Sequence, residues 1–239
     1  MSLRAQTIRA KHYLFAAIGL AAVLGVACFG GGGSEAVPGD GAPDFAVEGI
    51  DPSGLCPPAT VLSKKLTVSA QGLADNRLAA TNAPDPEGRE REYDRWGRLT
   101  GYYAQWAFRP PSGLTQEQIR QETLANPFVS AGCSVELYNG GEGAHNAFAA
   151  LAAEARNPPA DPSSGSKPTV NERSGPTIGD ERIDLVYPYP TFNVLVISFR
   201  MRNVIGTVSV IASGETDDYA EVMATAMVEL LGQALQPAS

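Results

Sequence analysis

The stretch NVLVISFRMRNVIGTVSVIA, residues 193 to 212, constrains the fold of this chain more than any other. Two runs rich in β-branched residues, Asn193 to Met201 and Val204 to Ala212, are parted only by Arg202 and Asn203. Two residues are the length of a tight hairpin, so the runs are expected to be adjacent antiparallel strands, with Asn203 taking the left-handed turn conformation. Leu195, Ile197, Phe199 and Met201 alternate onto one face, opposite Ser198 and Arg200. An apolar sheet face must be covered, and two helical patterns are available to cover it. Ala144, Phe148, Leu151, Ala152 and Ala155 recur at helical spacing in one; Tyr219, Val222, Met223, Ala226 and Leu230 do so in the other, from about Asp217 to Leu235, with Thr216 as its cap and Asp217 and Asp218 at its positive end.

Upstream, WGRLTGYYAQWAF from Trp96 reads as a strand ended by the prolines of RPPSG at 109 to 113. LTQEQIRQET, 114 to 123, reads as a short helix opened by Thr115, and Ala131 to Tyr138 as a strand with Cys133, Val135 and Leu137 on one face. Arg182 to Tyr187 is a further strand. TNAPDPEGR, 81 to 89, and Asn157 to Pro176 read as polar loops, and Gly54 to Asn82 has no clear pattern. The order of strands, helix, strands and terminal helix predicts an α+β fold: one domain over 54–239, a mostly antiparallel sheet with helices packed on one face.

The first 27 residues differ from the rest. Arg4, Arg9 and Lys11 precede Leu14 to Ala27, a run of 14 small or apolar residues. A helix of that length rises about 21 Å, short of the ~30 Å hydrocarbon core, which favours a secretory signal over a permanent span. With those three cations removed, 15 basic side chains face 26 acidic ones, a net charge near −11. Long-range repulsion then disfavours nucleic acid and anionic lipid headgroups as partners.

Leu24, Gly25, Val26 and Ala27 lead into Cys28, and the segment resembles the signal of a bacterial lipoprotein, apart from Gly25 standing where that family usually has leucine. The resemblance implies that residues 1–27 are a signal peptide, that Cys28 becomes the acylated N-terminus, and that the protein is held on the extracytoplasmic face of a membrane. Residues 28–53, beginning CFGGGGSEAVPGDGAP, are then a Gly/Pro-rich tether. If Cys28 carries lipid, Cys56 and Cys133 are left over in an oxidising compartment, which favours a disulfide over two buried free thiols.

No assembled catalytic motif is present in the sequence. His145 is the only histidine after the signal segment, and no serine lies in a G-x-S-x-G turn to pair with it. It reads as an exposed residue near a helix start. NGGEG, 139 to 143, lacks the lysine and spacing of a phosphate loop, and Glu142 would repel an anion. GREREYDRWGR, 88 to 98, alternates in sign as a solvated face does; its other reading is a polar rim around a recognition patch of Trp96, Tyr102, Tyr103 and Trp106. Asp180-Glu181, Asp217-Asp218 and Asp40/Asp44 fall in turns or caps, and no D-x-D-x-D-G calcium loop occurs. Catalytic, metal-ligating and cofactor-binding residues are therefore expected to be none.

WGRLTGYYAQWAF, SVELYNGGEGAHNAFAAL, IGDERIDLVY and VLVISFRMRNVIGTVSV, in that order before a closing helix, resemble a layout found in uncharacterised exported lipoproteins and similar to the PsbP-like α+β sandwich. The resemblance implies a fold and an address, with Gly179, Asp180 and Glu181 as a structural turn. The expected function is a non-catalytic, membrane-anchored binding or accessory module for a partner protein or small ligand; the alternatives are an exported enzyme using carboxylate acid/base groups and a solute-binding protein. Mass spectrometry of the protein purified from its own membranes is expected to show acyl chains on Cys28, and Cys28→Ala should leave the signal attached. A mature N-terminus elsewhere would sink the anchor.

Overall fold

A computed structural model describes residues 43–235 except 127, 159, 161–165, 191 and 214–216. The signal segment, Cys28, the first part of the tether and Thr216 therefore lie outside the described residues. Among those described, the chain forms strands β1 (Leu66–Ala74), β2 (Arg98–Phe108), β3 (Phe128–Tyr138), β4 (Asn171–Arg173), β5 (Glu181–Pro188), β6 (Asn193–Met201) and β7 (Val204–Ala212). The helices are α1 (Asn76–Ala80), α2 (Pro86–Arg95), α3 (Gln116–Ala125), α4 (Gly141–Arg156) and α5 (Asp217–Ala234), with 3-10 turns at Pro52–Leu55 and Ala59–Val61. All strands join one antiparallel sheet in the order β1-β2-β3-β7-β6-β5-β4. The α+β class and the mostly antiparallel sheet are as expected.

The hairpin forms, with Met201 opposite Val204. Arg202 rather than Asn203 takes the left-handed conformation, at φ 58°. Asn203 is instead buried and bonds three ways: its Oδ1 accepts from the Phe45 amide at 2.8 Å, while its Nδ2 donates to the carbonyls of Phe45 at 3.0 Å and Tyr138 at 2.9 Å. The short side chain that suits a turn also suits the bonding of passing backbone, and here the second use prevails.

Helices cover both faces, which corrects the one-faced arrangement. Leu195, Ile197 and Phe199 of β6 pack with Val208 and Val210 of β7 and with Met223, Met227 and Leu231 of α5. The intervening Val194 and Val196 pack with Ile183, Leu185 and Ile205 against Ala144, Phe148 and Ala152 of α4. A strand apolar at successive positions requires a cover on each side.

The domain also begins earlier than residue 54. Phe45 and Val47, assigned from sequence to the tether, are 5% exposed and belong to the core. Asp44 Oδ2 accepts from the Gly141 amide at 2.9 Å, capping α4, whose own N-cap Gly140 has no side chain to do so. The Cys56–Cys133 disulfide is present, with Cα atoms 5.8 Å apart. It ties the segment after the first 3-10 turn to the middle of β3, and closing so long a loop stabilises by about 4 to 5 kcal/mol in the chain-entropy account.

Thr115 caps α3 reciprocally with Gln118, as its sequence suggests. Gly54 to Asn82 resolves into the 3-10 turns, the edge strand β1 and α1, and α2 begins within the expected loop TNAPDPEGR, capped by Asp85 on the Gly88 amide. Gly179 has φ 65°, and a Cβ there would fall 2.2 Å from the Arg200 carbonyl oxygen. The turn it forms lets Asp180 accept from Arg200 Nη1 at 2.8 Å and from the Arg202 amide at 2.6 Å, while Glu181 pairs with Arg200 and with His145. His145 is thus half-buried and held by Glu181 rather than exposed.

Removing the Asn203 side chain leaves three backbone groups without their partner. Asn203→Ala is expected to lower stability by about 2–3 kcal/mol in urea denaturation and to speed hydrogen exchange at the Phe45 amide; continued protection there would overturn the role of Asn203 in holding the segment at Phe45.

Candidate functional site

On the face that carries α4, the helix lies over β5, β6 and one end of β7, and α1 and α2 lie beside β1 and β2. Between them is a groove of about 530 Å³. Its floor comes from the middle of β2, β3 and β7, where register aligns alternate residues in rows. Tyr103 is opposite Ser134 and Ser134 opposite Thr207; the next row is Gln105, Gly132 and Ser209. Gly132 leaves room for its neighbour, since a Cβ there would fall 2.6 Å from Ser209 Oγ. Leu78 and Ala79 of α1 form one wall, and Leu151 of α4 and Ile205 of β7 the other.

One end is closed by charge. Arg89 on α2 is 8% exposed and pairs with Glu154 on α4, its guanidinium 5.9 Å from the ring centroids of both Tyr93 and Trp96. Although burial opposes its charge, the adjacent Glu154 carboxylate raises the Arg89 pKa above the ordinary value. Arg98, buried at the start of β2, donates through Nη1 to the Ala74 carbonyl and to Asn76 Oδ1, each at 3.0 Å. Its Nε lies 3.4 Å from Glu136 Oε2, its guanidinium 5.0 Å from the Tyr93 centroid. Tyr138 donates its hydroxyl to Glu136 at 2.6 Å. Each buried cation has a carboxylate, and two aromatic rings pack on the guanidinium groups.

The run GREREYDRWGR is therefore only partly a solvated face: Arg89 and Arg98 point inward, whereas Arg91 and Arg95 remain exposed. The sequence reading missed Arg89–Glu154 and Arg98–Glu136. No local signal marks partners that far apart, although arginines close to Tyr93 and Trp96 are a composition that buried guanidinium stacks share.

The four aromatics proposed as a recognition patch are not brought together. Trp106 is 7% exposed and lies in the core beneath α5, and Tyr102 packs on that same face with its hydroxyl 3.2 Å from Gln71 Oε1. Tyr103 faces the opposite way, into the groove, and Trp96 packs against the α4 core at the end of α2. Burial of Trp106 follows from strand alternation, which places Tyr102, Ala104 and Trp106 on one side and Tyr103 on the other. Cys133 lies in the core of the α5 face, disulfide-bonded to Cys56.

Among the described residues no cluster of His, Cys, Asp or Glu has the arrangement of a metal site. No helix among them is long and apolar enough to cross a membrane.

No family model matches the chain, and no curated protein matches it. Among solved structures, the crystal structure of the extracellular domain of PknH from Mycobacterium tuberculosis matches with a TM-score of 0.48 and 11% identity, over 77% of this chain and 92% of that one.

Burial raises the phenol pKa of Tyr93 and Tyr138, with the Glu136 charge adding to both, and burial raises that of Tyr187. Folded and unfolded chains both hold these protons below pH about 10, and above it the unfolded chain releases them first, so stability falls as pH rises. Tyr93→Phe is expected to flatten that fall in urea denaturation between about pH 9 and 11. An unchanged slope would show that Tyr93 ionises as freely folded as unfolded.

Proposed function

We propose that this chain is a lipid-anchored extracytoplasmic binding module, tethered at Cys28, whose folded domain receives a small ligand in the groove and performs no chemistry on it. The observation that carries this reading is the groove itself: a concavity of about 530 Å³ on the sheet face between α4 and the α1–α2 pair, within the range that small-molecule sites occupy. The lipoprotein-like signal ending at Cys28 and the Cys56–Cys133 disulfide support the address, because a structural disulfide is at home outside the reducing cytosol. The layout resembling the PsbP-like sandwich fits the same setting, that of an accessory or sensor-like module beside a membrane complex.

The groove favours binding over acid/base catalysis. Glu136 and Glu154, the carboxylates at its closed end, are each held by an arginine, and Glu136 also accepts from Tyr138. A general acid or base needs a proton it can exchange with substrate, and these groups are committed to holding helices and strands together.

Native mass spectrometry of the protein extracted from its own membranes tests the reading. A noncovalent small-molecule adduct is expected on the wild type and absent from Ser134→Phe, which fills the floor while leaving the disulfide and both ion pairs untouched. Absence of any adduct on the wild type, or its retention by Ser134→Phe, would refute the assignment of the groove.

A further inference from the structure

We infer that the groove selects uncharged amphiphiles, molecules with hydroxyl groups along one edge and hydrocarbon along the other. The inference rests on the groove being the ligand site and names the class of ligand it takes.

The floor is polar where packing alone would have made it apolar. β7 is an interior strand, and on this same face its flanking positions are Ile205 and Ile211, both buried. Between them stand Thr207 and Ser209, aligned across β3 with Ser134 and Gly132 and across β2 with Tyr103 and Gln105. The hydroxyl of Thr207 meets Ser198 Oγ at 3.0 Å. The side chains of Tyr103, Gln105, Ser134 and Ser209 make no hydrogen bond to another described residue. Side-chain hydroxyls and an amide held at half-buried positions without a partner offer donors and acceptors to whatever enters. The walls offer hydrocarbon instead, from Leu78, Ala79, Leu151 and Ile205.

Charge is what the groove does not offer. Arg89 is matched by Glu154, and Arg98 by Glu136, the Ala74 carbonyl and Asn76. An anionic ligand would have to draw an arginine from its carboxylate and leave that carboxylate buried and uncompensated. A cationic ligand would do the same to an arginine. An uncharged ligand disturbs neither pair, and hydroxyl groups on one edge replace the water that the floor otherwise binds. The hydrocarbon edge lies against the leucine and alanine walls.

The test uses the mature full-length protein and the uncharged fluorescent dye N-phenyl-1-naphthylamine as a groove reporter. Heptyl β-glucoside, octanoate and heptylammonium, matched in alkyl length and kept below micelle formation, then compete for it. Heptyl glucoside is expected to displace the dye at a concentration about tenfold lower than either ion, and Ser134→Ala with Ser209→Ala to weaken the glucoside about tenfold more than they weaken the dye. Equal or tighter displacement by octanoate or heptylammonium overturns the class, as does a hydroxyl-deleted variant that binds the glucoside like wild type. If the dye does not bind the wild type at all, the groove reading itself fails; dye binding that the glucoside cannot displace removes the class alone. A glycosyl diacylglycerol in phosphatidylcholine vesicles, run in parallel, separates a membrane-borne from a dissolved ligand, and binding of either form supports the class.

Discussion

Burial of β6 and β7 on both faces is the constraint from which the rest of the structure follows. Leu195, Ile197, Phe199, Val208 and Val210 face α5, and Val194, Val196, Ile205 and Ile211 face α4. A fully buried aliphatic or aromatic side chain contributes roughly 1.5 to 3 kcal/mol relative to exposure, so neither cover can be dispensed with. One helix per face is enough for two or three strands, not seven. The α5 face is completed by the disulfide-tied N-terminal segment, with Leu55, Ala59 and Leu66 in its core. On the α4 face α1 and α2 reach only the far edge, and the strip between the helices is the groove.

That arrangement places buried charge where hydrocarbon would be expected. α2 has no apolar stripe: PEGREREYDR presents Arg89 inward, and the residue stays buried because Glu154 on α4 compensates it. Two helices that approach the sheet from opposite sides of the groove are thereby joined across its end. Replacing such a pair with apolar residues is often tolerated in stability, whereas losing one partner is not. What the pair supplies here is a fixed separation between α2 and α4, hence a groove of defined width.

Sequence patterns exposed the parts of the fold whose physics is local. The β6–β7 hairpin, α4, α5 and the Thr115-capped α3 depend on periodicity, turn length and capping within a few residues. β1 did not show, because LTVSAQGLA is an edge strand exposed through most of its length and carries no clean alternation. The roles of Asp44 and Phe45 were hidden for another reason: their partners, Gly141 and Asn203, lie 97 and 158 residues away. A Gly/Pro-rich stretch gives no sign that its last residues will be clamped. The groove was equally hidden, since Tyr103, Ser134 and Thr207 are unremarkable in their own strands and acquire meaning only through register.

The clamp and the groove are related in space. Asn203 holds both Phe45 and the carbonyl of Tyr138, and Tyr138 in turn donates to Glu136 at the closed end of the groove. The chain thus enters the domain at the end sealed by Arg98 and Glu136. From Glu136 to Gly132 the floor runs four residues along β3, about 13 Å at the rise of an extended strand. The row of Gln105, Gly132 and Ser209 lies at the far end of the floor from that point of entry. Phe45, through Asn203, and Asp44, through the cap on α4, fix the entering chain beside that end rather than at the rows of the floor. The residues that clamp the entering chain are thus distinct from the polar rows of the floor, whose alignment is set by strand register.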